Sequence, residues 1–494
     1  MAAVKKIIPD LKYHRRHPES GLLYRIVETY WPMFLREQER VGRNIPAFIK
    51  DEFSKYLRCG IPEYGFVRTY CHQCRESGIV AFSCKKRGFC PSCCARRMND
   101  EAAHLVDQVL PEVVMRQWVL SFPYKLRYQM AHNPKLTNQI LSIFIRAIST
   151  YQKKKAKLYG IKAARTGAVT FIQRFGSALN LNVHFHTLFA DGVYYKTENG
   201  DYKFLRLSEP TQEELISLAS KIQNKVSVLI QKLGLDDQDQ VEFDETLLSD
   251  VATISIQNKA GFGERAGQGL RRYGIKKIEV DPEGNDPYSS NVGGFSLNAR
   301  VWVGGREREK LEKLIRYMAR GPIATERLSE SFPNLLIYKM KTQWRDGTTH
   351  VSFSYLDFIA RLVALIPPAR MNLVRYHGVF APNFKGRSKI VQKKSKNTGN
   401  QAVTAPDIKE AARRARMLWS DMLKRTFKVD VTVCPHCGGR LEQIAVIKDK
   451  VVALAILKSL QETTVFKPLT AIWERGPPDQ PNGFENEFDQ RDSW

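Results

Sequence analysis

The chain has 494 residues, 43% hydrophobic and 26% charged, and its 77 Lys and Arg outnumber 51 Asp and Glu to give a formal net charge of +26. That length suits roughly two to four domains, and the composition is that of a chain able to bury a core. The positive excess argues against an enzyme of small neutral molecules and for a polyanionic partner, nucleic acid foremost, and 19 Tyr and 25 Phe leave rings for stacking on unpaired bases.

Residues 1–11 carry two lysines but no apolar segment of a secretory signal, and no run of 18 apolar residues occurs, so no membrane association is expected and the cytoplasm (in a bacterium, the nucleoid) is the expected compartment. Residues 20–57 read as helical, with Leu23, Ile26, Val27, Tyr30 and Phe34 near a 3.6-residue period. A helix is expected over 97–109, and a buried strand over 117–122 between Pro111 and Pro123. Ile140, Phe144, Ala147, Ile148 and Tyr151 mark a helix after Pro134 that ends in Lys153-Lys154-Lys155 before Gly160. Strands over 168–174 and 182–190 follow, then a helix capped by Ser208, carrying Leu215, Ile222, Val226, Leu229 and Leu233, and stopped by Gly234. Residues 236–250 are acidic and read as a solvated loop or edge. Alternation of apolar residues predicts a strand over 295–303, and Asp346-Gly347 a hairpin between 335–340 and 350–353. Residues 385–404 read as a basic linker, 407–425 as a basic helix, and the stretch from Gly476 as a disordered tail. The pattern is α+β, with a central antiparallel sheet and flanking helices.

Seven of the nine cysteines fall between Cys59 and Cys94, which in a chain without a secretory signal points to metal-bound thiols rather than disulfides. Cys71-x2-Cys74 and Cys90-x2-Cys93 are fifteen residues apart, a spacing that predicts one structural Zn2+ held by those four residues. Cys59 and Cys84, with Cys94 and His72 nearby, are left for a second site or for the core. Lys85, Lys86, Arg87, Arg96 and Arg97 surround the ligands and are expected to contact DNA phosphates. Cys434-x2-Cys437 supplies only two thiols; it reads either as half of a site completed elsewhere or, the preferred reading, as a turn without metal.

His184 and His186 lie two apart on a predicted strand and so share a face, while Val183 and Phe185 face the other way. Two imidazoles so placed begin a divalent-metal site. Gln173, on the preceding strand, offers a third oxygen ligand if the two strands pair. Residues 306–320 read as a helix with Leu311, Leu314, Ile315 and Met318 as its buried stripe, and Lys313, Arg316 and Arg320 on the opposite face. Tyr317 falls on the border between the two, beside cations of the kind a nucleophilic phenol requires. Arg316 and Arg320 join the expected DNA contacts.

These residues, with Arg58-Cys-Gly60, Arg87-Gly-Phe-Cys-Pro-Ser-Cys93, Gln173-Arg-Phe-Gly-Ser-Ala-Leu-Asn180, His184-Phe-His186 followed by Asp191-Gly-Val193, Arg316-Tyr-Met-Ala-Arg320, Leu373-Val-Arg-Tyr-His-Gly-Val379 and Cys434-Pro-His-Cys-Gly-Gly439, appear in one order along the chain. In them the sequence resembles the HUH-superfamily transposases of the rolling-circle insertion sequences numbered ninety-one, and their common-region relatives. The resemblance implies an HUH-endonuclease-like fold preceded by a zinc module, a catalytic Mg2+ or Mn2+ at His184 and His186, and Tyr317 as a nucleophile that forms a 5′-phosphotyrosine bond with single-stranded DNA at the element's ends and target. A host helicase is the expected partner. Consistently, the sequence contains no G-x-x-x-x-G-K-[ST] phosphate loop. Some relatives carry two tyrosines four residues apart; here the flanking positions are Lys313 and Gly321, so Tyr317 stands alone. Expected boundaries are 1–55 for an N-terminal helical region, 56–110 for the zinc module, 111–380 for the catalytic domain, 381–405 for the linker, 406–475 for a C-terminal helical region with Cys434 and Cys437, and 476–494 for the tail. The competing readings are a rolling-circle replication initiator and a non-catalytic zinc-containing DNA-binding protein.

Overall fold

A computed structural model of the chain describes residues 17–235, 247–274, 286–331, 335–344, 346–391, 419–427 and 430–463. The N-terminal tail, most of the acidic stretch, most of the linker, the first part of the basic helix and the C-terminal tail lie outside those residues.

The protein is α+β. Its centre is a seven-stranded sheet in which Val374–Gly378, Gly167–Phe175, Leu181–Ala190, Met115–Ser121, Phe295–Asn298 and Ser289–Val292 lie side by side, with Trp302–Val303 also pairing to Met115–Ser121. Every pairing is antiparallel. The strands at its middle are buried along nearly their whole length, polar residues included. One face, through Val183, Phe185 and Phe189, packs on the helices Leu22–Arg40, Pro134–Lys157, Gln212–Lys232 and Tyr355–Leu365. The other, through Val169, Phe171 and Leu188, packs on the helices Pro91–Gln108 and Arg308–Ala319.

Four local expectations are revised. The predicted helical region 20–57 is two helices, Leu22–Arg40 and Ala47–Tyr56, the second entered through Pro46. The helix after residue 208 is capped by Thr211, not Ser208, because Thr211 and Glu214 form a reciprocal capping box. The strand predicted over 295–303 is interrupted: Asn298 pairs with Val119 and Trp302 with Arg116, four steps against three, so one extra residue bulges from the ladder. The zinc-module helix starts at Pro91 rather than near Arg97, which puts Cys93 and Cys94 in its first turn. The hairpin across Asp346-Gly347 forms as expected, Leu335–Lys339 pairing with Thr348–Phe353.

Candidate active site and cysteine clusters

The strand Leu181–Ala190 alternates as its sequence predicts. Phe185 is fully buried in the large core, edge-on to Phe122 at 5.1 Å, while His184 and His186 emerge together on the opposite face. Their Nε2 atoms are 3.0 Å apart. Nδ1 of His184 donates to the Asn182 carbonyl at 2.9 Å, and Nδ1 of His186 lies 2.6 Å from the Gln117 amide on the neighbouring strand. Burial holds both imidazoles neutral. His184 is lowered to about 4 by desolvation first and by Arg127 and Arg320 next, against the Asn182 hydrogen bond. His186 falls well below its ordinary value through desolvation, then through His184 and Arg320.

Gln173 is paired across the ladder with His184. Its Nε2 donates to the carbonyls of Met318 at 2.7 Å and Tyr317 at 3.3 Å, so this one side chain ties the sheet to the end of the tyrosine helix. Its Oε1 is buried with no hydrogen-bond partner among the described residues, an arrangement that normally costs about 1–3 kcal/mol. Tyr317 is buried (5% exposed) rather than on the helix border. The reason is that the helix sits between the sheet and the helix Pro91–Gln108, which widens its buried stripe. The Tyr317 ring meets the His186 ring edge-on at 5.9 Å, and Arg320 and Lys341 each lie 4.5 Å from its centre. Residue order alone does not point to Gln117, Asn182 or Lys341. Lys341 follows the strand Leu335–Lys339, and nothing in its local sequence signals that the hairpin reaches Tyr317.

Gly321, beyond the tyrosine helix, has no room for a side chain, since a Cβ there would stand 2.6 Å from Cβ of Cys94. A second tyrosine at that position is incompatible with this packing.

The four cysteines Cys71, Cys74, Cys90 and Cys93 do not share a site. Cys59, Cys84, Cys90 and Cys93 form one group, and Cys71, Cys74, Cys434 and Cys437 another, with the sulfurs of each all within 4.8 Å of one another. Chain spacing alone misassigned them because tertiary folding brings Cys59 under the helix start and the distant Cys434-x2-Cys437 turn onto Cys71-x2-Cys74. His72 is no ligand candidate, pairing instead with Glu442 at 2.8 Å, and Cys94 lies outside both groups, directed at the Gly88 carbonyl. Hydrogen bonds within each group pull thiols toward the thiolate: Cys93 by Cys59 first and Cys59 by Cys84 first in one group, and Cys71, lowered to about 7, by the Cys74 backbone first in the other.

The basic residues marked for DNA contact divide. Lys86 is paired with Asp51, and Arg87 donates to the Met371 carbonyl at 3.0 Å. Arg97 donates to the Lys85 carbonyl at 3.2 Å, while Arg316 pairs with Glu312 at 3.3 Å and is largely covered. Lys85, Arg96 and Arg97 are exposed, and Arg320 is half-buried against Tyr317. No helix among the described residues is long and apolar enough to cross a membrane.

Two four-cysteine groups able to hold a metal and a formal net charge of +26 fit a zinc-binding protein with a polyanionic partner. Residues 167–388 match the family described as “Putative transposase”, and residues 26–122 match the family described as transposase zinc-binding domain. The chain belongs to the IS91 family of rolling-circle transposases. It therefore acts on DNA and carries structural zinc. Comparison with curated proteins and with solved structures gave no match.

The neutral histidines make stability depend on pH. An unfolded imidazole titrates near 6.5. The folded values of His184 and His377 are lowered to about 4, in both cases by desolvation first, and that of His186 is likewise lowered well below its ordinary value by desolvation. Between these limits the unfolded chain binds more protons, so the contribution is complete above about pH 6.5 and is lost as pH falls toward 4. Without added divalent metal, thermal melts should shift down by several degrees from pH 7.5 to pH 5. A flat profile would mean that these rings are hydrated in solution.

Proposed function

We propose that this transposase nicks and rejoins single-stranded DNA at the ends of an insertion sequence, with Tyr317 as nucleophile and a divalent ion, Mg2+ or Mn2+, at His184, His186 and Gln173. The observation that carries this reading is the Gln173 side chain: the residue pairs across the ladder with His184, its amide nitrogen is anchored to the tyrosine helix, and its oxygen is buried with no hydrogen-bond partner among the described residues. The histidines fit the same reading. Their two Nε2 atoms lie 3.0 Å apart, close enough that both would reach a single ion.

Without an ion, the site closes as one directional chain. Gln117 donates to Nδ1 of His186, Nε2–H of His186 donates to Nε2 of His184, and Nδ1–H of His184 donates to the Asn182 carbonyl. Turning the Gln117 amide over lets its oxygen accept from Nδ1–H of His186, which leaves both Nε2 lone pairs for the metal. Held by His184, His186 and Gln173, a divalent ion would supply Lewis-acid polarisation of the scissile phosphate.

The remaining chemistry belongs to the chain. The Tyr317 oxygen, losing its proton to solvent, forms a bond to phosphorus. The bond from phosphorus to the 3′ oxygen of the upstream nucleotide breaks, and that oxygen takes up a proton to leave as a free 3′-hydroxyl. The downstream strand is then held as a 5′-phosphotyrosine ester. Arg320 and Lys341 favour negative charge on the phenol they face. Attack by another 3′-hydroxyl on the same phosphorus joins the new strands and restores the tyrosine, so no nucleotide need be hydrolysed. The second transfer reuses Tyr317, recruits the Tyr317 of a second subunit, or falls to another tyrosine of the chain. The reaction begins on unpaired DNA, which makes a host helicase the natural partner.

The test is incubation of 5′- and 3′-labelled single-stranded DNA, carrying the ends of the flanking element, with and without Mg2+ or Mn2+, followed by denaturing electrophoresis. Label from the downstream fragment should move to protein mass only when metal is present. Free ends with no adduct would replace the tyrosine mechanism with hydrolysis by water. Binding without cleavage would favour a non-catalytic role.

A further inference from the structure

The match to the transposase zinc-binding family ends at residue 122, yet one of the two cysteine clusters draws half its sulfurs from beyond residue 430. In that cluster Sγ of Cys71 lies 3.5 Å from Sγ of Cys437, and Sγ of Cys74 lies 3.5 Å from Sγ of Cys434. Four sulfurs around a tetrahedral zinc, each at about 2.3 Å, stand about 3.8 Å from one another. These two separations are close to that figure, and all four sulfurs lie within 4.8 Å of one another.

The backbone repeats the same turn on both sides. In the first pair, the amide of Arg75 donates to the Cys71 carbonyl at 2.8 Å, and Arg75 adopts a left-handed φ of 62°. In the second, the amide of Gly438 donates to the Cys434 carbonyl at 3.0 Å, with φ at 76°. Each C-x2-C pair is thus a knuckle closed at the fourth residue after its first cysteine, with both thiols turned to the same side. The knuckles approach so closely that a Cβ on Gly439 would lie 2.5 Å from the Gln73 side chain.

From these observations we infer that Cys71, Cys74, Cys434 and Cys437 hold a second structural zinc ion, which clasps the C-terminal segment onto the N-terminal module. This ion is separate from one held by Cys59, Cys84, Cys90 and Cys93. The inference does not rest on the tyrosine mechanism. The clasp explains why the strand Leu441–Ile447 completes a three-stranded sheet with Phe66–Cys71 and Ser77–Ala81. Ile444 and Val446 on that strand are exposed, so apolar burial contributes little to seating it, and the metal supplies the missing attachment. It also joins residues 360 positions apart in the chain, closing a loop that contains the whole central sheet.

The test is zinc stoichiometry of the full chain by elemental analysis. Wild type should hold two ions. Cys434→Ser with Cys437→Ser should hold one, Cys71→Ser with Cys74→Ser should hold one, and all four substitutions together should still leave one. Two ions retained in the Cys434/Cys437 variant would overturn the inference. So would a quadruple variant lower than both doubles, because the two pairs would then serve different ions. Iron in place of zinc would overturn the choice of metal. A second measurement avoids variants that fail to fold. Cys437 is exposed, yet in the wild-type protein it should resist alkylation and become reactive together with Cys71, Cys74 and Cys434 when a chelator is added. Free alkylation of Cys437 while two zinc ions remain bound would refute the clasp.

Discussion

Tyr317→Phe is expected to abolish the covalent protein–DNA adduct while leaving affinity for single-stranded DNA within a few-fold of wild type. The substitution removes one oxygen from a ring that is 5% exposed and packed against His186, Arg320 and Lys341. The ring itself keeps its contacts, so the fold and the surrounding cations should persist. Loss of a nucleophile with no substitute leaves only what binding and electrostatics can do, and cleavage should fall by at least about 10³-fold. His186→Ala should reduce cleavage to a similar degree by a different route, which separates the two roles: added Mn2+ should partly restore a weakened metal site and do nothing for Tyr317→Phe. An adduct that survives in Tyr317→Phe would send the assignment to another tyrosine.

Asp191→Ala is expected to cost about 3–5 kcal/mol of folding stability. Arg116 is fully buried in the central sheet, and Asp191 meets it with two parallel hydrogen bonds of 2.9 and 3.0 Å. The rest of the guanidinium is satisfied by the Ala299 carbonyl at 2.9 Å and by Glu209 at 3.2 Å. Removing Asp191 leaves a positive charge in a dry interior with only a half-exposed carboxylate to answer it. Asp191→Asn keeps the shape and one acceptor and should cost less. Urea unfolding of both variants measures the difference. A loss under about 1 kcal/mol for Asp191→Ala would show that Glu209 alone compensates the charge.

Much of the centre was legible from residue order, for reasons that are local. A strand alternates with period two whatever it packs against, so His184-Phe-His186 already placed two imidazoles on one face and Phe185 on the other. A helix stripe at i, i+3, i+4 and i+7 likewise placed Leu311, Leu314, Ile315 and Met318 in the core. The family resemblance ran through the same residues, and the family matches agree with it. Helix starts are less legible: Thr211 rather than Ser208 is the cap because Thr211 forms the reciprocal bond with Glu214, while Pro210 disfavours helical backbone at Glu209, just after Ser208.

Residue order by itself determined the element types of the central sheet, the shared face of the histidines, the cysteine-rich character of the N-terminal third and the charge that calls for a polyanion. Tertiary structure alone decided which cysteines meet, because thiols 360 residues apart are joined by strand addition and not by spacing. It also decided that Tyr317 is buried between two layers, that Gln173 points one end at the tyrosine helix and leaves the other unpartnered, and that Lys341 arrives from a hairpin with no local mark. Periodicity reports only which side of an element faces inward; what waits on that side depends on how distant elements pack.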